Sequence, residues 1–339
     1  MSIQQYFTRF HKEIKVETEE LREKRDILVE KIRASLKKAG QPLPVALNQG
    51  SYIYGVGVKP LGDIEYDIDV GLDFPIQAFD YEAKTVRKWV YDAIADHTKN
   101  VEDRGPCIRV RYAAGYHVDL VVYARFKDQD DVENYQLAHK DGSWKPAEPK
   151  KLKDYISDAR KPFVGTKDSS GSDQLQRLTR YLKRWNDIDI PDDSPDKPFG
   201  LATLLLVINK LNTPFLDQNG DSNDLEALIA VACAVKNTYG RVSIRKPTQE
   251  FEDVFAKLSD KAMERLKSRF GSLLSDLESA RYKSDDDAAK ILRRQFGSDF
   301  PESLRKFEDS STDSRVHAIR DMEAAAPAFI NPSKPWCRW

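Results

Sequence analysis

The chain has 339 residues, enough to bury a full core and to form two packed lobes. Lys and Arg total 54 against 55 Asp and Glu, a balance that argues against a protein whose main task is coating nucleic acid and leaves no strong case for a duplex partner. Three scattered cysteines (Cys107, Cys233, Cys337) and five scattered histidines give neither a disulfide framework nor zinc spacing, and no apolar run reaches membrane-spanning length, so a cytoplasmic protein without a membrane partner is expected.

In chain order, residues 3–39 carry Ile3, Phe7, Phe10, Ile14, Leu21, Ile27, Leu28 and Ile32 at helical spacing without Pro or Gly. This predicts one long amphipathic helix, bent or broken along its length, ending at Gly40 and clamping two lobes. Residues 49–73 read QGSYIYGVGVKPLGDIEYDIDVGLD. Asp63, Glu65, Asp67 and Asp69 alternate with Ile64, Tyr66, Ile68 and Val70, the period of a strand with all four acids on one face. Acids are depleted in strands, and a bound cation is one reason to gather them. An exposed edge strand that uses charge to prevent pairing is the other. The upstream Gly50-Ser51 turn favours the cation: glycine lets backbone N–H groups approach a phosphate, the serine hydroxyl adds a donor, and carboxylates one step beyond hold Mg²⁺ against the same phosphates. Glu65 with Asp67 has the same spacing as Asp67 with Asp69, so the register stays open.

Residues 81–97 predict a second helix, and 107–125 a hairpin turning at Ala113-Ala114-Gly115. Asp119, between Val118 and Leu120 in an apolar strand, is costly to bury unless paired or metal-bound. It is the natural third ligand beside Asp67 and Asp69, or else a charge tipped into solvent at a sheet end. Residues 132–149 predict another hairpin around Asp141-Gly142, and residues near 145–150 and 165–172 bracket a crossover between lobes. Beyond it the pattern is helical. In residues 172–186 Leu175, Leu178, Leu182 and Trp185 share one side, while Arg177, Arg180 and Arg184 are expected on a solvated opposite face, with Lys183 at the border reaching the cleft as a point charge for a triphosphate. Residues 200–211 and 223–236 predict buried helices, 241–244 a short β-branched piece, and 259–281 and 285–296 two amphipathic helices. Three prolines in 324–339 predict a tail that does not continue the helix. Neither a Walker-type GKS or GKT nor GxGxxG is present, so P-loop and Rossmann readings have no support.

Gly50-Ser51, Asp67-Ile68-Asp69 and Asp119 on a later strand resemble the three elements of the DNA polymerase beta-like nucleotidyltransferase superfamily. QGSYIYG, YDIDVGLDF, LAHKDGSWKPAEPK, LKRWND and ILRRQFGSDFP, in that order, are similar to the bacterial CD-NTase family, cyclic-oligonucleotide synthases of anti-phage defence related to cyclic GMP-AMP synthase. The resemblance implies an α+β fold, a polymerase beta-like core with a mixed or antiparallel sheet packed on a C-terminal helical lobe, and a long N-terminal helix bridging both. The corresponding division is 1–165 for the core, 166–325 for the helical lobe and 326–339 for the tail. It implies that Gln49, Gly50 and Ser51 bind the donor nucleotide, that Asp67 and Asp69 hold two Mg²⁺ ions (Mn²⁺ as the alternative) with Asp119 completing the acceptor-side metal, and that Lys183 contacts the donor phosphates. At KPFGLAT the chain departs from the pattern, with Phe199 where a small hydroxyl residue is expected, so no second serine contact is assigned there. The implied function is joining NTPs into a cyclic di- or trinucleotide second messenger for CBASS signalling, read by a downstream effector and with CBASS accessory proteins as further partners. Single-nucleotide transfer to RNA, protein or a small molecule, and an inactive nucleotide-binding regulator, are the alternatives.

Overall fold

A computed structural model of the chain describes residues 2–16, 19–62, 66–113, 115–191 and 194–304. The predicted tail at 326–339, the acids Asp63 and Glu65 and the turn residue Ala114 lie outside them. The architecture is α+β, built on two hydrophobic cores.

The first core lies on a mixed sheet. Strands β1 (Val45–Asn48), β2 (Tyr66–Phe74), β3 (Val101–Asp103), β4 (Ile108–Tyr112) and β5 (Tyr116–Lys127) run in the order β1-β2-β5-β4-β3. β6 (Glu133–Ala138) and β7 (Trp144–Ala147) continue from β5 as the predicted hairpin. β2 and β5 are parallel, and the other pairings are antiparallel. Ile68, Val70, Leu72, Val118, Leu120 and Val122 alternate inward and pack against α2 (Glu19–Lys38) and α4 (Ala83–Ile94), so the opposite face of β2 and β5 carries Asp67, Asp69 and Asp119, beside a smaller apolar cluster that includes Val121 and Tyr123.

The N-terminal stretch takes the broken form of that expectation, as two helices. α1 (Ile3–Ile14) ends where Lys15 turns extended, the Ile14 carbonyl accepts from Lys59 N–H at 2.8 Å, and Lys15 pairs with Val58. No proline or glycine announces this break, because a tertiary hydrogen bond makes it. α1 packs Phe7, Phe10 and Ile14 into the second core, whereas α2 packs Leu28, Ile32 and Leu36 into the first. The bridging role is thus divided between two helices.

The crossover contains a helix, α5 (Pro149–Arg160), which has Pro149 at its first turn, where a missing N–H costs nothing. The second core is formed by α6 (Gln174–Asp189), α7 (Gly200–Lys210), α8 (Asp224–Lys236), α9 (Asp260–Arg281) and α10 (Asp285–Phe296). Residues 241–244 form no strand. α6 is started by Asp173, whose side chain accepts from Gln176 N–H at 2.9 Å while Gln176 returns the bond to Asp173 N–H, a reciprocal cap.

The basic face of α6 is not solvated. Arg177, Arg180 and Arg184 are all buried. Arg177 makes a two-pronged pair with buried Asp224 at 2.8 and 2.9 Å and donates to the carbonyls of Thr166 and Ser172. Arg180 donates to the Gly57 carbonyl at 3.1 Å, and Arg184 to the Lys59 carbonyl at 2.7 Å and pairs with Asp299. The expectation failed because α6 runs through the middle of the molecule, so its polar side meets backbone and acids rather than water.

Candidate active site

The polar face of the sheet and the helical lobe enclose a cleft of about 1000 Å³, at the upper end of the range for ligand sites. Gln49, Gly50, Ser51, Asp67 and Asp69 line one wall, and Lys183 with Phe199 and Thr203 lines the other.

Gly50 opens a short helix, α3 (Gly50–Tyr54), at φ +68°. A Cβ built there falls 1.9 Å from Asp69 Oδ2. The turn and the carboxylate are therefore pressed together, and only glycine permits both the backbone angle and the approach. Ser51 Oγ lies 3.4 Å from the Tyr66 hydroxyl, and Gln49 Oε1 accepts from the Tyr123 hydroxyl at 3.1 Å.

β2 presents Asp67 and Asp69 to the cleft, two residues apart and on one face. Further along that face Asp73 is buried and paired with Arg125 at 2.8 Å, so it is not free for a ligand. Burial first, then the like charges of Asp67 and Asp119, push the Asp69 carboxyl up to about 7, while Arg109 and Lys183 pull the other way. A carboxylate in that state is relieved by a cation. The close Gly50 cradle, two cleft-facing carboxylates and all-oxygen chemistry fit a hard divalent ion shared with phosphate.

The parallel register sets Asp119 directly opposite Asp69, as the sequence reading requires. Its carboxylate, however, does not line the cleft. It accepts from Arg109 Nε and Nη2, both at 2.7 Å, from the residue opposite it on β4. Among the described residues no three acids, histidines or cysteines stand together as a ready-made metal cage. The expected three-carboxylate cluster is thus two carboxylates in the cleft and a third beside them, held by an arginine.

Lys183 projects from α6 into the cleft and donates to the Val56 carbonyl at 3.1 Å. Burial lowers its ammonium pKa, against the pull of Asp67. Gly200, at the start of α7, lies beside it: a Cβ there would make ordinary contact with Lys183 Nζ at 3.4 Å. Phe199 is the residue before that helix, half exposed and lining the cleft, without a side-chain capping bond. Sequence reasoning missed Arg109, although the alternation of CIRVRY and the short turn before Asp119 contain the pairing.

Comparison with known proteins follows the same residues. Residues 44–123 match the family model of the nucleotidyltransferase domain of cyclic GMP-AMP synthase DncV-like proteins. The chain is 28% identical over 193 residues to a cyclic GMP-AMP synthase of Escherichia albertii, covering 54% of this chain and 41% of that protein. It is 23% identical over 220 residues to a c-di-GMP synthase of Roseivirga ehrenbergii, covering 62% and 53%. The chain spans about half the length of the curated relatives it matches. In fold it is similar to Vibrio cholerae DncV, a cyclic AMP-GMP synthase, with a TM-score of 0.71 at 19% identity over 88% of this chain and 96% of that one. It is also similar to E. coli MS115-1 CdnC solved with ATP, with a TM-score of 0.66 at 16% identity over 88% and 98%. The matched segment contains Gly50-Ser51, Asp67, Asp69 and Asp119 in the arrangement described above, and residues 44–123 are similar to the nucleotidyltransferase domain of DncV-like cyclic GMP-AMP synthases.

Proposed function

We propose that this protein joins NTPs without a template into a cyclic di- or trinucleotide second messenger, by nucleotidyl transfer in the cleft between the sheet and the helical lobe. The observation that carries the reading is the contact of the Gly50-Ser51 turn with Asp69, in one cleft with Asp67 and Lys183. Gln49, Gly50 and Ser51 hold the donor phosphates with backbone and side-chain donors. Lys183 meets the triphosphate as a point charge from the opposite wall. Asp67, Asp69 and, once freed, Asp119 would hold two Mg²⁺ ions, with Mn²⁺ as the alternative. Held by these residues, such ions would supply activation of the acceptor hydroxyl and charge neutralisation for the departing pyrophosphate. The protein's own contribution is positioning and charge, as in other phosphoryl transfers.

Cyclisation rests on the relatives, a cyclic GMP-AMP synthase and a c-di-GMP synthase. So does a role in CBASS anti-phage signalling, with an effector that reads the product and accessory proteins of the kind that CdnC meets in its HORMA complex. Among the described residues no helix is long and apolar enough to cross a membrane, and a cytoplasmic site of action is part of the proposal. So is a division into a core at 1–165 and a helical lobe at 166–325, amended in that α1 packs with the helical lobe.

Purified protein incubated with the four NTPs and Mg²⁺, then phosphatase, should give a product whose mass is that of a cyclic di- or trinucleotide. Single-nucleotide adducts on RNA, protein or a small molecule, with no cyclic species, would reject the cyclisation step. No pyrophosphate release at all would reject nucleotidyl transfer.

A further inference from the structure

We propose that Arg109 is a positioning residue that competes with a divalent cation for Asp119, so that the third carboxylate enters the site only when the guanidinium releases it. The proposal rests on the nucleotidyltransferase reading and adds a control to it. The register of the sheet places three residues in one row across β2, β5 and β4: Asp69, Asp119 and Arg109. Asp69 and Asp119 share one face of the sheet, and Asp69 lines the cleft while Asp119 stands beside it. The two-pronged bond from Arg109 occupies both oxygens of Asp119 at 2.7 Å. The side chains of both partners are largely shielded from solvent, 18% exposed for Arg109 and 9% for Asp119, so water does little to loosen them.

A planar guanidinium and a divalent ion offer a carboxylate alternative partners for the same lone pairs. With the arginine in place, a cation at Asp67 and Asp69 gains little from Asp119. With it withdrawn, Asp119 is a carboxylate in an apolar strand that has lost its two-pronged partner, and a cation becomes a way to satisfy it. A phosphate of an incoming nucleotide presents the guanidinium with the same fork of acceptor oxygens. Substrate phosphate therefore draws Arg109 away and frees Asp119, and the second cation site assembles when nucleotide is present rather than before.

The test is manganese binding followed by electron paramagnetic resonance on the full chain, for wild type, Arg109→Gln, Arg109→Lys, Asp119→Asn and the pair Asp67→Asn with Asp69→Asn. Without nucleotide the wild type should show one stronger class of ion that depends on Asp67 and Asp69, and a second, weaker class that depends on Asp119. Arg109→Gln should tighten the weaker class about tenfold or more and Arg109→Lys by less, since lysine keeps the charge and loses the fork. An α,β-methylene nucleotide should tighten it in the wild type and change little in Arg109→Gln. Should Arg109→Gln fail to fold, as judged by circular dichroism, the Arg109→Lys and nucleotide arms carry the same comparison. A weaker class that is unchanged or loosened in the Arg109 variants would overturn the proposal, making Arg109 a support for the metal form. Manganese binding indifferent to Asp67 and Asp69 would instead sink the reading on which the proposal rests.

Discussion

Gly50→Ala isolates the contact on which the site depends. Gly50 sits at φ +68°, where a side chain costs about 1–2 kcal/mol. The added Cβ would lie 1.9 Å from Asp69 Oδ2, 2.8 Å from its Cγ and 2.9 Å from its Cβ, and the first of these falls about 1.5 Å short of an ordinary contact near 3.5 Å. Three atoms of one short side chain are involved, so rotation alone does not clear the clash: either the turn lifts or Asp69 retreats by about an ångström. Misplacement on that scale costs roughly a hundredfold in rate when positioning is the source of catalysis. Gly62→Ala is the internal control, because Gly62 has φ +62° and no atom within 4 Å of its built Cβ. Both variants should lose about 1–2 kcal/mol, read as a lower melting temperature by roughly 2–4 °C per kcal/mol for a domain of this class. Only Gly50→Ala should lose pyrophosphate release, by about a hundredfold. Equal activity in the two variants would refute the claim that the turn and Asp69 form one unit.

Three further outcomes follow from the same physics. Asp69, pushed up to about 7, keeps its proton in the folded metal-free chain above the usual carboxylate range, where the unfolded chain has lost it, so its contribution to stability is present at low pH and lost as pH rises through about 7. In EDTA the wild type should melt lower at pH 8 than at pH 6, with Mg²⁺ restoring the loss and Asp69→Asn blunting it; a melting temperature that rises over that interval, attributable to Asp69, would contradict the assignment. Arg177→Ala strands the fully buried Asp224, and should cost about 3–5 kcal/mol in urea unfolding, whereas a loss under about 1 kcal/mol would mean that water reaches the pair. Lys183→Ala should raise the KM for NTP by roughly ten- to a hundredfold, the worth of one charge-assisted bond, with little change in melting temperature; an unchanged KM would remove Lys183 from the site.

The legible parts of the chain are those whose signals are local. The period-two run through Asp67 and Asp69 and the turn before Asp119 each act over a few residues, and their elements stand where the pattern puts them. What could not be read depends on long-range partners. Arg177, Arg180 and Arg184 look like a wet face until Asp224, Asp299 and the carbonyls at 55–59 are brought around them. Where the N-terminal stretch breaks is set by the amide of Lys59, far along the chain from the Ile14 carbonyl it meets. Arg109 is an intermediate case: the hairpin register alone pairs it with Asp119, but only the folded sheet shows the guanidinium bonded to both oxygens of that carboxylate.

The central claim is that Asp67 and Asp69 form the reactive centre beside the Gly50-Ser51 turn. Its most direct test is Mg²⁺-dependent pyrophosphate release from mixed NTPs by the wild type and by the Asp67→Asn, Asp69→Asn variant, each verified as folded. The account predicts release by the wild type and a loss of about a thousandfold or more in the variant, the scale of removing transition-state charge stabilisation. Release at the wild-type rate by the folded variant would contradict it.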